Sequence, residues 1–125
     1  MLSNLVQVAL GGAIGASARY LTNVSATRLI GHGFPWGTVI VNILGSFLMG
    51  VLVVVLAKKG GNAFAPLLMT GMLGGFTTFS AFSLDAFTLY ERGDFWQAGA
   101  YVAGTLVVAL VAIVAGILAT RMVLA

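Results

Sequence analysis

The most informative polar residues lie in the apolar stretch 36–57. Thr38, Asn42 and Ser46 are four residues apart, so a helix places them on one face. Side chains of this kind often form hydrogen bonds between helices in membranes, and that role suits Ser46. The carboxamide of Asn42 is costly to bury and needs several partners. Its two N–H donors could bind an anion, which makes Asn42 the first candidate binding residue.

A second group combines aromatic rings with hydroxyl groups. Phe79 and Phe82 are three residues apart and share a helical face, with Ser80 to one side. The edge of a phenyl ring carries partial positive charge, so it can replace part of the hydration of an anion without adding a full charge. Tyr101 and Thr105 add a further pair of hydroxyls at a spacing of four. Core packing and lipid contact are the alternative roles for the phenylalanines.

The titratable residues do not form a catalytic arrangement. Glu91, Asp94 and His32 fall in predicted loops, and Asp85 is expected to be an interfacial carboxylate at a vestibule. The first predicted span contains no carboxylate, whereas a proton-coupled carrier generally needs an acidic or histidine relay in the membrane. The chain lacks cysteine, and no nucleophile has a base beside it. We therefore predict that the protein is not an enzyme.

The composition indicates the environment that must position these residues. Of 125 residues, 60% are hydrophobic and 7% are charged, whereas a soluble domain has about 25% charged residues. The six Lys and Arg residues are scattered and form no basic patch, which argues against a nucleic-acid partner. The chain is predicted to be an integral membrane protein.

Hydrophobic runs of roughly 20 residues predict an all-α protein with one membrane domain, 1–125. Pairs of glycines four residues apart, Gly11 with Gly15 and Gly71 with Gly75, predict close helix packing. Adjacent glycines followed by two threonines weaken the third helix at 74–78. Such a break must be buried in protein or line a wet cavity, and its freed backbone groups can bind ions. The four predicted spans are 2–20, 36–57, 63–90 and 97–124.

The cations leave the orientation in the membrane undecided. With four spans, one side carries Lys58, Lys59 and Arg121, and the other carries three arginines. The usual excess of cytoplasmic Lys and Arg is therefore missing. Either Arg19 lies too deep to count or other signals act, or the protein inserts both ways and forms an antiparallel dimer. A four-helix subunit has little room for a pore, which also favours an oligomer. The second set of cations is Arg19, Arg28 and Arg92.

Three segments resemble the Fluc (CrcB) fluoride channel family. They are GGAIGASARY at 11–20, NILGSF at 42–47 and GGFTTFSAF at 74–82. The resemblance covers essentially the whole chain in length, span count and motif order. The GGxTTFS run with an upstream asparagine is specific to this family. The chain departs from the family at Ala81, where threonine is common, so a hydroxyl is missing beside the phenylalanines.

The resemblance implies an antiparallel, dual-topology homodimer in the bacterial inner membrane. Its two pores would release toxic fluoride passively from the cytoplasm. Asn42 would donate hydrogen bonds to fluoride, and the ring edges of Phe79 and Phe82 would line the path. Backbone carbonyls of Gly74 and Thr77 from both subunits would hold a central sodium ion. Arg19 would lie in the pore vestibule, and the weaker candidates for pore or vestibule hydroxyls are Thr38, Ser80, Tyr101 and Thr105.

Two other functions compete with this interpretation. A small multidrug-resistance-type proton-coupled exporter shares the size, four spans and dual topology. It needs a membrane-embedded glutamate in the first span, where this chain has Gly, Ala and Ser. A non-transporting scaffold built on glycine packing would leave Asn42 and the predicted break at 74–80 without a role.

Overall fold

The computed structural model describes residues 1–60 and 62–125, which are helical except at short connections. These residues contain no strand. A 3₁₀ turn at Asn62–Phe64 and a π-helical segment at Pro66–Leu73 precede the short α-helix at Gly74–Phe76. The α-helices of the described residues are α1 (Leu2–Ile30), α2 (Trp36–Lys59), α3 (Gly74–Phe76), α4 (Phe79–Glu91) and α5 (Phe95–Leu124).

Three helical stretches of the described residues are long and apolar enough to cross a membrane. They are Trp36–Lys59, Asn62–Glu91 and Phe95–Leu124. The chain is thus a multi-pass membrane protein. Helix α1 does not meet the same standard of apolarity, so its membrane crossing stays a prediction. The reason is that polar and charged side chains recur along it, at Asn4, Gln7, Arg19, Asn23 and Arg28.

The helices extend past the predicted apolar spans. Helix α2 continues to Lys59, and α5 begins at Phe95. Helix α1 continues to Ile30, ten residues past the predicted end of its span. Its 29 residues measure about 43 Å, more than the roughly 30 Å of a hydrocarbon core. Backbone hydrogen bonding sustains a helix in polar surroundings, so the end of apolar sequence does not end the helix.

Glycines bring α1 into backbone contact with the third helical stretch, Asn62–Glu91. Gly11 and Gly15 are buried, and a Cβ atom would overlap the carbonyl oxygen of Leu67 at the first and that of Met72 at the second. The predicted packing role of these glycines is therefore confirmed. Gly12 takes part through its backbone, since a Cβ on Gly75 would lie 2.9 Å from its carbonyl oxygen.

A second glycine contact joins α2 to α5 and was absent from the sequence analysis. A Cβ atom on Gly50 would overlap the carbonyl oxygen of Ile113, and one on Gly116 would overlap that of Phe47. The two glycines lie on different helices, so no spacing within one helix reveals the pair. Their contact fixes α2 and α5 side by side.

The side chain of Gln7 connects α1 by hydrogen bonds to the beginning of the third helical stretch. Its Nε2 donates to the carbonyl of Ala63 at 3.1 Å, and its Oε1 accepts from the N–H of Leu67 at 3.2 Å. The first N–H groups of a helix lack partners within it, and this carboxamide supplies one. The third helical stretch is therefore held against α1 by both glycine packing and hydrogen bonds.

Replacing Gly15 by alanine tests the packing of α1. The added methyl group overlaps the Met72 carbonyl, so we expect a loss of about 1–3 kcal/mol in stability, seen as a lower melting temperature in detergent. Gly104→Ala is the matched control, because a Cβ there meets nothing within 4 Å. That control should be neutral or slightly stabilising. Equal melting temperatures for the two variants would contradict the packing described.

Candidate functional site around the helix interruption

Two residues of extended backbone, Thr77 and Thr78, separate α3 from α4. Thr77 has ψ 159°, and Thr78 has φ −153° and ψ 123°. β-Branched threonine has low helix propensity but is a favoured residue at a helix N-terminus. Accordingly, Oγ1 of Thr78 accepts from the N–H of Ala81 at 3.1 Å and caps α4. The sequence thus ends one helix and starts the next within two residues.

Asn42 on α2 satisfies the backbone of Thr78 with both ends of its carboxamide. The Thr78 N–H donates to Oδ1 at 2.8 Å, and Nδ2 donates to the Thr78 carbonyl at 3.0 Å. Helix α2 can approach this closely because Gly45 faces Thr77, whose Cγ2 a Cβ at position 45 would overlap. Of the two N–H donors of Asn42, one is therefore committed to the backbone and one is left for a ligand.

This arrangement releases two backbone carbonyls. In a continuous helix, Gly74 would accept from the N–H of Thr78 and Thr77 from that of Ala81. Those N–H groups donate instead to Asn42 and to the Thr78 hydroxyl. In the described part of the chain, no hydrogen bond reaches either carbonyl oxygen. Free carbonyl oxygens are ligands of the type that hard cations such as sodium take.

Arg19 reaches the interruption from α1. Its Nε donates to the carbonyl of Gly75 at 3.1 Å, and the side chain is half-buried. The charge is therefore held inside the bundle, at the level of the interruption rather than at a helix end.

A cavity of about 280 Å³ adjoins the interruption. Five of the predicted site residues line it together with Thr78, namely Asn42, Thr77, Phe79, Phe82 and Thr105. Its wall is mostly apolar, and none of its described lining residues is charged. Thr105 is 6% exposed, and no described hydrogen bond involves its hydroxyl; because the described residues hold no buried side-chain oxygen without a partner, this hydroxyl is accessible from the cavity. Ser46 also lines the cavity, a position beyond the interhelical hydrogen bonding that the sequence pattern predicts for it.

The aromatic rings form a row leading away from this cavity. The ring centroids of Phe79 and Phe82 lie 5.7 Å apart, and those of Phe82 and Tyr101 lie 5.1 Å apart. Tyr101 is 1% exposed, whereas Phe79 is 77% exposed and projects beyond the surface of the subunit. The row therefore runs from the core to an uncovered face.

A second polar centre lies at the inner end of that row. Asp85 accepts from the Thr38 hydroxyl at 2.8 Å and from the Tyr101 hydroxyl at 3.2 Å, both at Oδ2. Asp85 also lines an open pocket of about 260 Å³ with His32. Both predicted hydroxyls thus donate to a carboxylate. The sequence feature that could have indicated this cluster is Asp85 itself, because an acidic residue inside a predicted span needs hydrogen-bond partners.

Ser80 and Ala81 lie at the start of α4, outside the group that lines the first cavity. Ser80 is exposed, and its hydroxyl lies 3.3 Å from that of Thr78. Ala81 contributes its backbone N–H to the cap, and its methyl group lines the pocket of Asp85. The predicted site residues therefore fall into two groups, one at the interruption and one at Asp85.

A family model described as "CrcB-like protein, Camphor Resistance (CrcB)" matches residues 6–117. Several bacterial relatives carry the name "Fluoride-specific ion channel FluC". The protein of Cereibacter sphaeroides is 68% identical over 121 residues, 97% of each chain. That of Paracoccus denitrificans is 54% identical over 121 residues, also 97% of each chain. That of Ruegeria sp. is 54% identical over 125 residues, 99% of each chain.

These matches include the glycine face of α1, Asn42, the interruption and most of α5. The relatives are named as ion channels and not as enzymes. The chain belongs to the CrcB family.

Proposed function

We propose that this chain is a fluoride-selective channel of the bacterial inner membrane that lets fluoride leave the cytoplasm passively. The observation that carries the proposal is the cavity at the interruption, where Asn42, Phe79, Phe82 and Thr105 meet without any charged residue among the described lining residues. The relatives named as fluoride channels support the same function.

The donors at the cavity suit a small, strongly hydrated anion. A pore must replace the water around such an ion yet bind it weakly enough to release it. The free N–H of Asn42, the hydroxyl of Thr105 and the ring edges of the phenylalanines are moderate donors. A ring of lysine or arginine side chains around the pore would hold the ion more tightly. Arg19, engaged with Gly75 nearby, attracts anions from the vestibule by its field.

The remaining predicted residues act around this path. The hydroxyls of Thr38 and Tyr101 hold Asp85, and the ring of Tyr101 continues the row of phenylalanines. Ser80 supplies a hydroxyl on the exposed face next to the Thr78 cap. We assign these three residues to the pore wall and vestibule.

The exposed interruption supports a dimer. Thr77 and Thr78 are half-buried, the flanking residues Gly74, Phe79 and Ser80 are exposed in the single chain, and the carbonyls of Gly74 and Thr77 lack donors among the described residues. Non-helical backbone cannot face lipid, so another protein surface must cover it. A second copy is the simplest cover, and it supplies a further wall beside the projecting ring of Phe79. Two equivalent cavities then give two pores.

The distribution of charge supports an antiparallel arrangement of the two copies. One end of the bundle carries Lys58, Lys59 and Arg121. The other carries Arg28 and Arg92, because Arg19 is held inside the bundle. A difference of one cation gives only a weak bias in orientation. Insertion in both directions is therefore consistent with the sequence, and α1 serves as the fourth span.

A sodium ion at the centre of this dimer fits the donor set. The released carbonyl oxygens of Gly74 and Thr77 lie beside an exposed face, so a two-fold axis there brings two from each copy together. Bound sodium supplies positive charge that satisfies carbonyls which otherwise lack partners. Carbonyls cannot bind fluoride directly, so the cation and the anion use separate groups.

The proton-coupled exporter gains no support. Helix α1 carries no carboxylate, and Arg19 occupies its midpoint region. The scaffold alternative leaves the Asn42–Thr78 bonds and the adjoining cavity without a function.

Substitution of Phe79 tests the fluoride pathway. In liposomes with a fluoride gradient and a potassium ionophore, Phe79→Ile should reduce efflux to the level of protein-free liposomes, because the ring edge is lost. Phe87→Ile is the matched control, since Phe87 lies on the same helix, is 56% exposed and does not line the cavity. The Phe87→Ile protein should release fluoride at the normal rate, and this efflux should need no proton gradient. Normal efflux through a dimeric Phe79→Ile protein would overturn the pathway.

Ion replacement tests the proposed sodium site. The melting temperature of the detergent-solubilised dimer should rise with sodium concentration, because a ligand that binds only the folded state stabilises it by about 2.7 kcal/mol at a hundredfold excess over Kd. N-methylglucamine chloride at equal ionic strength is the control and should give no rise. The same melting temperature in both salts would rule out a stabilising sodium site.

A further inference from the structure

One end of the bundle has the features of a membrane–water interface. Trp and Tyr concentrate at the level of the lipid headgroups, where one part of the ring is apolar and the other is polar. Charged residues of the connecting segment, Arg92 and Asp94, follow directly and form an ion pair at 3.1 Å. The exposed rings at this end are Trp36, Tyr90, Phe95 and Trp96.

The end of α1 lies at the same depth. Arg92 donates to the carbonyl of Gly33 at 2.8 Å, which ties the loop after α1 to the segment between α4 and α5. Arg28 occupies the last turn of α1, and His32 follows in the loop. Both side chains are exposed at this end of the bundle.

Arg28 and His32 share an open pocket of about 420 Å³ with residues of one face of α1. Its described lining includes no carboxylate and offers hydrogen-bond donors from Arg28, His32, Thr27 and Asn23. Within the described residues, the guanidinium of Arg28 takes part in no hydrogen bond and no ion pair. Arg92 and Arg19, by contrast, are engaged within the protein. Arg28 is thus left available for an external anion.

This face of α1 has its charged group at the helix end and offers both polar and apolar groups to one ligand. From the helix end inward, the guanidinium of Arg28 and the hydroxyl of Thr27 come first, and Val24 and the ring of Tyr20 lie deeper, with the amide of Asn23 between these two. Neighbouring apolar side chains are exposed to the bilayer, with Leu21 63% exposed and Leu29 85% exposed. We propose that this pocket binds the phosphate of an anionic phospholipid, with Arg28 as its main ligand and the glycerol and acyl chains lying along α1.

Native mass spectrometry of the purified dimer tests this site. Phosphatidylglycerol should bind more tightly than phosphatidylcholine, and Arg28→Gln should weaken its binding about fivefold, the effect of one cation near a membrane surface. Arg121→Gln is the matched control, since it removes an exposed cation from the last turn of α5 and should leave this binding unchanged. The melting temperature without lipid should be the same for both variants.

Three results would overturn the site. Equal losses in Arg28→Gln and Arg121→Gln would indicate general attraction between charges. Inorganic phosphate binding as tightly as phosphatidylglycerol would assign the pocket to a free anion. No preference for phosphatidylglycerol in the wild-type dimer would mean that the pocket is covered or takes no lipid. The measurement is independent of fluoride flux, so its failure leaves the proposed channel function unaffected.

Discussion

The two hydrogen bonds between Asn42 and Thr78 are the interactions on which the rest of the site depends. An unsatisfied backbone group in the membrane interior costs several kcal/mol, so a helix can be interrupted there only if another group takes over its bonds. The Asn42 carboxamide does this for both the N–H and the carbonyl of Thr78, at 2.8 and 3.0 Å. This exchange frees the carbonyl of Gly74, and the Thr78 cap of α4 frees that of Thr77, next to the exposed ring of Phe79.

Close helix packing allows that exchange to occur. A side chain on Gly45 would collide with Thr77, and one on Gly15 would collide with the backbone at Met72. The two glycines let α2 and α1 approach the interrupted helical stretch Asn62–Glu91 from different sides. The extended backbone is consequently enclosed on those sides and open on the side of Phe79, where the proposed second copy lies. Glycine packing and the polar site are therefore parts of one structural requirement.

Much of the site follows from local sequence patterns, and the remainder depends on contacts between distant residues. Composition predicts the membrane helices, and the helical spacing of Phe79 and Phe82 places their rings on one side. No local pattern identifies the backbone of Thr78 as the partner of Asn42, 36 residues away, or Asp85 as the acceptor for Thr38, 47 residues away. Hydropathy also fails to predict the full length of α1, because the final turns of this helix contain polar residues and hydropathy ends the span before them.

Substituting Asn42 with aspartate tests the central claim most directly. The carboxylate has nearly the same shape and still accepts from the Thr78 N–H, but it cannot donate to the Thr78 carbonyl or to fluoride. It also places a negative charge at the cavity. The measurement is fluoride efflux from liposomes containing the purified protein. We expect efflux at the level of protein-free liposomes, whereas efflux equal to that of the unmodified protein would contradict the role given to Asn42.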